Sequence, residues 1–369
     1  MKKTIILKGY YGRDNLGDEI MLDLLVSFFV AKDNMRLYVM NSNPLWLKKE
    51  YNIDTPNELI TGSNAKKPLF KRVRAILKCD YYIIGGGTIL TDKHGLACLF
   101  EYYFEFLIRK LLKKKSAFIS IGATSFKTKL GSFLCKKIVR RSTFVAIRDE
   151  ISYSQLLRMC PKSSNMFKTG DIVSLCPLIE HQKTTSKPLD KSVKKVCICP
   201  MPYYSSLNMD EKLDSQIADS FVSLIKKLNE EGKEVVLLPI QCGSNNTLDY
   251  DFCKTIESRV AGNITLLKPL SNEEKINAIG DCDCLISMRL HALLIGVLEN
   301  KKVIAINHNP KIEAFMKSFG LETSMVNMEG IDSIYELMLS NSCKISEFNI
   351  DNMRSKALLN FDLLDELLK

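Results

Sequence analysis

The feature that most narrows the fold is an alternation along the whole chain: short β-rich runs, each followed by a segment with helical apolar spacing. TIILKG precedes DEIMLDLLVSFFVA, YYIIGGG precedes YYFEFLIRKLLKK, SAFISIG precedes LGSFLCKKIVRR, and FVAIRD precedes ISYSQLLRM. Strands separated by helices pair in parallel, with the helices covering the sheet. At 181–194, HQKTTSKPLDKSVK is polar, aperiodic and proline-containing, which predicts an interdomain linker. The rhythm then restarts with KKVCICP, EVVLLPIQ, NITLLKPL, DCLISM and KVIAINH, and helices are expected near 211–231, 249–260, 272–279 and 290–298.

A chain of 369 residues exceeds one comfortable core. The predicted fold class is α/β, with two Rossmann-like domains facing across a cleft. The expected boundaries are 1–180, the linker at 181–194, 195–350, and a C-terminal helix at 351–369. That helix carries Leu358, Phe361, Leu364, Leu367 and Leu368 at helical spacing, and this face is expected to pack on a domain.

The net charge of +10 is concentrated in KKPLFKRVRAILK at 66–78, RKLLKKK at 109–115 and KKIVRR at 136–141. Such runs form solvated helix faces or attract an anionic partner, a phosphorylated substrate or a lipid surface. No aromatic interleaving or reading motif accompanies them, so no nucleic-acid partner is expected. The first apolar stretch is interrupted by Lys8, too soon for an export signal, and nothing approaches the roughly 18 apolar residues of a membrane span. A cytoplasmic location is expected, with the inner membrane face as a further reading. The twelve cysteines read as reduced core thiols, since Cys197/Cys199 and Cys282/Cys284 lack zinc-knuckle spacing; no metal is expected.

Four motifs fall at strand ends, where ligands of open α/β sheets bind. Gly12 and Gly17 in GYYGRDNLGDE share a P-loop's glycine spacing, but Asp18-Glu19 stands where that loop needs Lys-Ser/Thr. Two carboxylates repel a nucleotide phosphate, and no dinucleotide fingerprint is present. Asn15 and Asp18 instead suit sugar hydroxyls or a general base, while Glu19 complements the helix dipole. Gly86 and Gly87 in GGGTILTD allow close backbone approach and supply N–H donors. Arg148 presents a fork matched to carboxylate or phosphate, or else pairs with Asp149 or another acid. Arg289 and His291 follow one strand, and His308 and Lys311 follow the next, a set suited to a small multiply charged anion.

Taken with IRDEIS, Gly170-Asp171, LLPIQ followed by Asp249 and Asp251, SMRLHALL and NPKIEAF, these motifs resemble the polysaccharide pyruvyl transferase family over about residues 5–320. The resemblance implies a fold similar to the glycosyltransferase-B type. It implies transfer of pyruvate from phosphoenolpyruvate, a co-substrate with no further cofactor, onto two sugar hydroxyls to give a cyclic ketal. Arg289, His291, Arg148 and Lys311 are then the expected donor-site residues, with His291 as general acid and Asp18 as base. Asn15 and Asp18 are expected on the acceptor side. A lipid-linked saccharide at the cytoplasmic membrane face is an acceptor that the basic helices allow. Departures at Thr88, Thr124, Met201 and His308-Asn309 bear on the acceptor more than on the donor. Two rivals stand beside this reading: a glycosyltransferase using a nucleotide sugar, and a non-catalytic sugar-phosphate binding protein.

Overall fold

The computed structural model describes residues 2–369 except 41–43, 57–67, 94, 179–192, 207–208, 210, 243–247, 269 and 341–346. Residues 181–192 of the expected linker, and 66–67 of the first basic run, lie outside the described residues. The chain forms two compact units. The first comprises Met1–Gly12, Asp18–Leu175 and Met353–Lys369, and the second comprises Arg13–Gly17 and Cys176–Asn352.

The first unit is built on strands β1 (Lys3–Lys8), β2 (Met35–Met40), β3 (Tyr81–Gly85), β4 (Thr88–Leu90), β5 (Lys115–Ala123), β6 (Phe144–Ile147) and β7 (Met166–Lys168). They pair in parallel in the order β2-β1-β3-β5-β6-β7, with β4 against β5. Ile5, Ile6 and Leu7 are fully buried, as expected of a parallel strand covered on both faces. Each such side chain contributes about 1.5–3 kcal/mol through burial. Lys8 ends the run yet is itself buried, because its ammonium bonds Glu101 at 3.0 Å and Glu105 at 3.1 Å. The order reverses between β1 and β3, and the ligand crevice of such sheets lies at the carboxyl ends of the strands flanking that reversal.

From Met353 onward the helix Glu347–Leu368 belongs to this unit, and a buried asparagine anchors it. Asn360 Nδ2 donates to Gly170 O at 3.0 Å, and Ser120 N donates to Asn360 Oδ1 at 3.0 Å. A Cβ on Gly170 would stand 2.7 Å from the backbone nitrogen of Ala357, which explains the glycine of the Gly170-Asp171 pair. The buried face is Ala357, Asn360, Leu364, Leu367 and Leu368. Leu358, expected on that face, is exposed: the helix is phased on a buried asparagine that apolar spacing does not reveal.

The second unit holds β8 (Lys195–Cys199), β9 (Glu234–Leu237), β10 (Ile264–Leu266), β11 (Cys284–Ser287), β12 (Lys302–Asn307) and β13 (Met325–Asn327). Their order, β10-β9-β8-β11-β12-β13, is the 3-2-1-4-5-6 arrangement of dinucleotide-binding folds, and every pair is parallel. The reversal here lies between β8 and β11, so the end of β11, where SMRLH sits, is again at a switch point. None of the eleven described cysteines is in a disulfide, and only Cys98 among them is exposed.

Candidate functional site

Beyond β11 the chain turns at Ser287, whose Oγ accepts from Arg289 N at 2.9 Å, and Arg289 caps the helix Leu290–Leu298. From Ala292 to Leu298 that helix is buried. Its polar entry and apolar body fix Arg289 and His291 at the mouth of the unit. The Arg289 guanidinium meets Asp249 as a two-pronged pair, Nε to Oδ2 at 3.0 Å and Nη2 to Oδ1. Asp249 is fully buried and also accepts from Gln241 N at 3.1 Å. A planar fork bound along one edge cannot rotate. Arg289 thus presents an oriented donor edge, its charge largely balanced by Asp249.

The Arg13–Gly17 segment belongs to this same unit. Asn15 forms an antiparallel bridge with Gln241. Asp14 adopts a left-handed backbone with φ of 55°, a conformation aspartate tolerates better than most residues. Its carboxylate accepts from Lys275 Nζ at 2.8 Å, and the same ammonium donates to Ile240 O at 3.3 Å. Lys275 is fully buried, so this pair supplies the compensation a buried ammonium requires. Three residues after Asp14, the ring of His291 packs against Gly17, where a Cβ would lie 1.9 Å from Nδ1.

His308 closes the rim between β8, β11 and β12. Its Nε2 donates to Met288 O at 2.8 Å, since a carbonyl can only accept. Its ring lies 4.7 Å from that of Tyr203, which follows β8. Burial first, and the Arg289 charge after it, hold the His308 imidazole below its ordinary range. Lys311 stands in the first turn of the helix Pro310–Ser318, whose cap Asn309 accepts from Lys311 N at 2.9 Å. Cys242, near Lys275, is pushed up to about 12 chiefly by burial and remains a thiol.

In the first unit, Gly86 and Gly87 both take left-handed φ, 76° and 72°. Any side chain there would be strained. The Gly86 N–H, expected to be open to a ligand, donates instead to Ile119 O at 3.0 Å. A Cβ on Gly87 would come within 3.4 Å of Asp18 Oδ1, which sets the buried Asp18 carboxylate beside this turn. Tyr11 donates to Gly85 O at 2.8 Å. Burial, then Asp18 and Glu19, push its phenol well above the usual value, so it stays protonated. Arg148 pairs with Asp171 at 2.8 Å, while Asp149 caps the next helix through Ser152 N. Asp92 accepts from Lys127 N and Thr128 N, both at 2.8 Å, and so braces a loop. Those bonds outweigh burial and lower its carboxyl.

Asn15, Arg289, His291 and Lys311 therefore share the second unit, and Asp18, Gly86, Gly87 and Arg148 share the first. Lys275 escaped sequence reasoning, since a lysine within an amphipathic helix reads as solvated and its partner is 261 positions away. Asp249 stood among the motifs without a role; a carboxylate opening a helix after LLPIQ was its only signal. Among the described residues, no group of three or more His, Cys, Asp or Glu is placed to hold a metal ion. No described helix is long and apolar enough to cross a membrane.

The sequence model of the polysaccharide pyruvyl transferase family matches residues 15–310. No curated protein sequence matches the chain. Solved structures are similar over the whole length. The UDP-GlcNAc 2-epimerase from Methanocaldococcus jannaschii has a TM-score of 0.62 at 13% identity, covering 98% of this chain and 99% of that one. The UDP-GlcNAc 2-epimerase from Neisseria meningitidis bound to UDP-GlcNAc has a TM-score of 0.62 at 13% identity, covering 99% of each. The glycotransferase of kitacinnamycin has a TM-score of 0.54 at 8% identity, covering 100% of each. Identities this low show a shared fold and no more.

Proposed function

The chain belongs to the polysaccharide pyruvyl transferase family, and on that premise we propose that it moves the pyruvyl group of phosphoenolpyruvate onto two hydroxyls of a saccharide. The acceptor we propose is a unit of a surface, capsular or extracellular polysaccharide, or its lipid-linked precursor. The observation that carries this reading is the joint setting of Arg289 and His291: a guanidinium locked edge-on by Asp249, and an imidazole packed on Gly17, both at the carboxyl end of β11.

Phosphoenolpyruvate brings a phosphate, a carboxylate and a C2–C3 double bond whose C3 must gain a proton before C2 is attacked. His291 supplies that proton, and Arg289 and Lys311, which share its unit, hold the anionic groups. One sugar hydroxyl then bonds to C2, phosphate departs with the C–O electron pair, and the second hydroxyl closes the ketal, each hydroxyl releasing a proton. Asp18, beside the Gly86-Gly87 turn, accepts a hydroxyl proton in this scheme.

Incubation with phosphoenolpyruvate and candidate saccharides tests the reading. The expected result is one phosphate released per sugar, which gains the mass of pyruvate less one water. Turnover that instead requires a nucleotide sugar, or binding of phosphoenolpyruvate without any turnover, contradicts it.

A further inference from the structure

Three helices of the first unit, Pro68–Lys78, Ala97–Leu111 and Lys129–Arg141, join β2 to β3, β4 to β5 and β5 to β6. These crossovers advance in one direction along the sheet, and right-handed connections of that kind place their helices on one face. The last two are tied side by side by Arg141, whose guanidinium lies 4.2 Å over the ring of Tyr103.

The outer side of this layer has the wrong composition for a surface that only meets water. Ala97–Leu111 buries Leu99, Tyr102 and Phe106, yet on its other side it exposes Phe100, Phe104 (55%) and Leu111 (73%) along one stripe. The neighbouring helix exposes Leu130 and Phe133 (48%). Ordinary surfaces mix both signs of charge. Here PLFKRVRAILK and KLGSFLCKKIVRR contain no acid, and ACLFEYYFEFLIRKL has only Glu101 and Glu105, both bonded to Lys8. Arg74, Lys110, Lys113 and Arg140 are exposed around the apolar stripe.

Exposed phenylalanines framed by exposed cations complement an interface that is apolar beneath and anionic above. A second copy of the chain would bring the same uncompensated charge against itself, which disfavours self-association through this face. We propose that this three-helix face seats the protein on an anionic lipid surface, with Phe104 and Phe133 entering the headgroup region. The inference stands independently of the reaction proposed above.

The test is cosedimentation of the full chain with phosphatidylcholine vesicles, with and without phosphatidylglycerol. Binding is expected only with phosphatidylglycerol, and it should weaken as salt screens the contact. Phe104→Ser with Phe133→Ser, and separately Lys110→Ala with Arg140→Ala, should each lower the partition coefficient about tenfold. All four side chains are exposed, and circular dichroism checks each pair; if one misfolds, the other decides. No binding at low salt, a folded pair that binds like the unsubstituted chain, or a dimer in vesicle-free sedimentation that the phenylalanine pair dissolves would overturn the proposal.

Discussion

The ring of His291 occupies the space that a side chain on Gly17 would take: an ideal Cβ there stands 1.9 Å from Nδ1. Gly17 lies in the first turn of the helix Leu16–Val30, where alanine would be the better helix former. Gly17→Ala should therefore leave thermal stability near its original value while displacing the imidazole. A displacement of about an ångström in a catalytic group costs on the order of 10²-fold in rate. Steady-state kinetics with phosphoenolpyruvate should show the loss mainly in kcat, and an unchanged kcat would detach Gly17 from catalysis.

Asp14 and Lys275 are unequal partners, because the lysine side chain is fully buried and the aspartate 29% exposed. Asp14→Ala leaves the buried Lys275 ammonium with Ile240 O as its one remaining partner among the described residues, a loss of up to about 3 kcal/mol. Lys275→Met keeps the volume and leaves a carboxylate that water can reach, so it should cost less. Urea unfolding of the two variants gives the order, and the reverse order would contradict this account of the loop's anchorage.

Asp249 and Arg289 are expected to act as one group. Asp249→Asn should lower kcat/KM for phosphoenolpyruvate by about 10²-fold, by freeing the guanidinium to rotate. In the Arg289→Ala background the same change should add little, since its effect runs through the arginine. Losses that multiply would show that the two residues act separately.

His308 gives the stability a pH dependence. Its folded imidazole is held below the ordinary range, mainly by burial, whereas the unfolded one gains a proton near about 6.5. Between those two values the unfolded state binds more protons. The stabilisation is complete above about pH 6.5 and is lost as pH falls toward the folded value. Thermal melting across this range should show the loss, and His308→Gln should lack that component.

Much of the architecture was legible because parallel sheets write themselves as buried runs such as TIILKG and DCLISM, and the helix after SMRLH lay where its apolar run placed it. Strand order was not legible, since alternation is the same for every order of a parallel sheet. The site was legible where one turn carries two groups, as with Arg289 and His291. It was not legible where the partner is remote: Asp249 is 40 positions from Arg289, and Asp171 is 23 positions from Arg148. The assignment of Arg13–Gly17 to the second unit has the same origin, since Asn15 meets Gln241 and Asp14 meets Lys275. Long-range pairs of this kind leave no periodicity in the sequence.

Delivery of a proton from His291 to C3 of phosphoenolpyruvate is tested most directly by His291→Ala. Ketal formation and phosphate release should fall by about 10²–10⁴-fold, the usual worth of a general acid, while phosphoenolpyruvate binding and the melting temperature stay close to those of the unsubstituted protein. Unchanged turnover with binding intact would contradict the account.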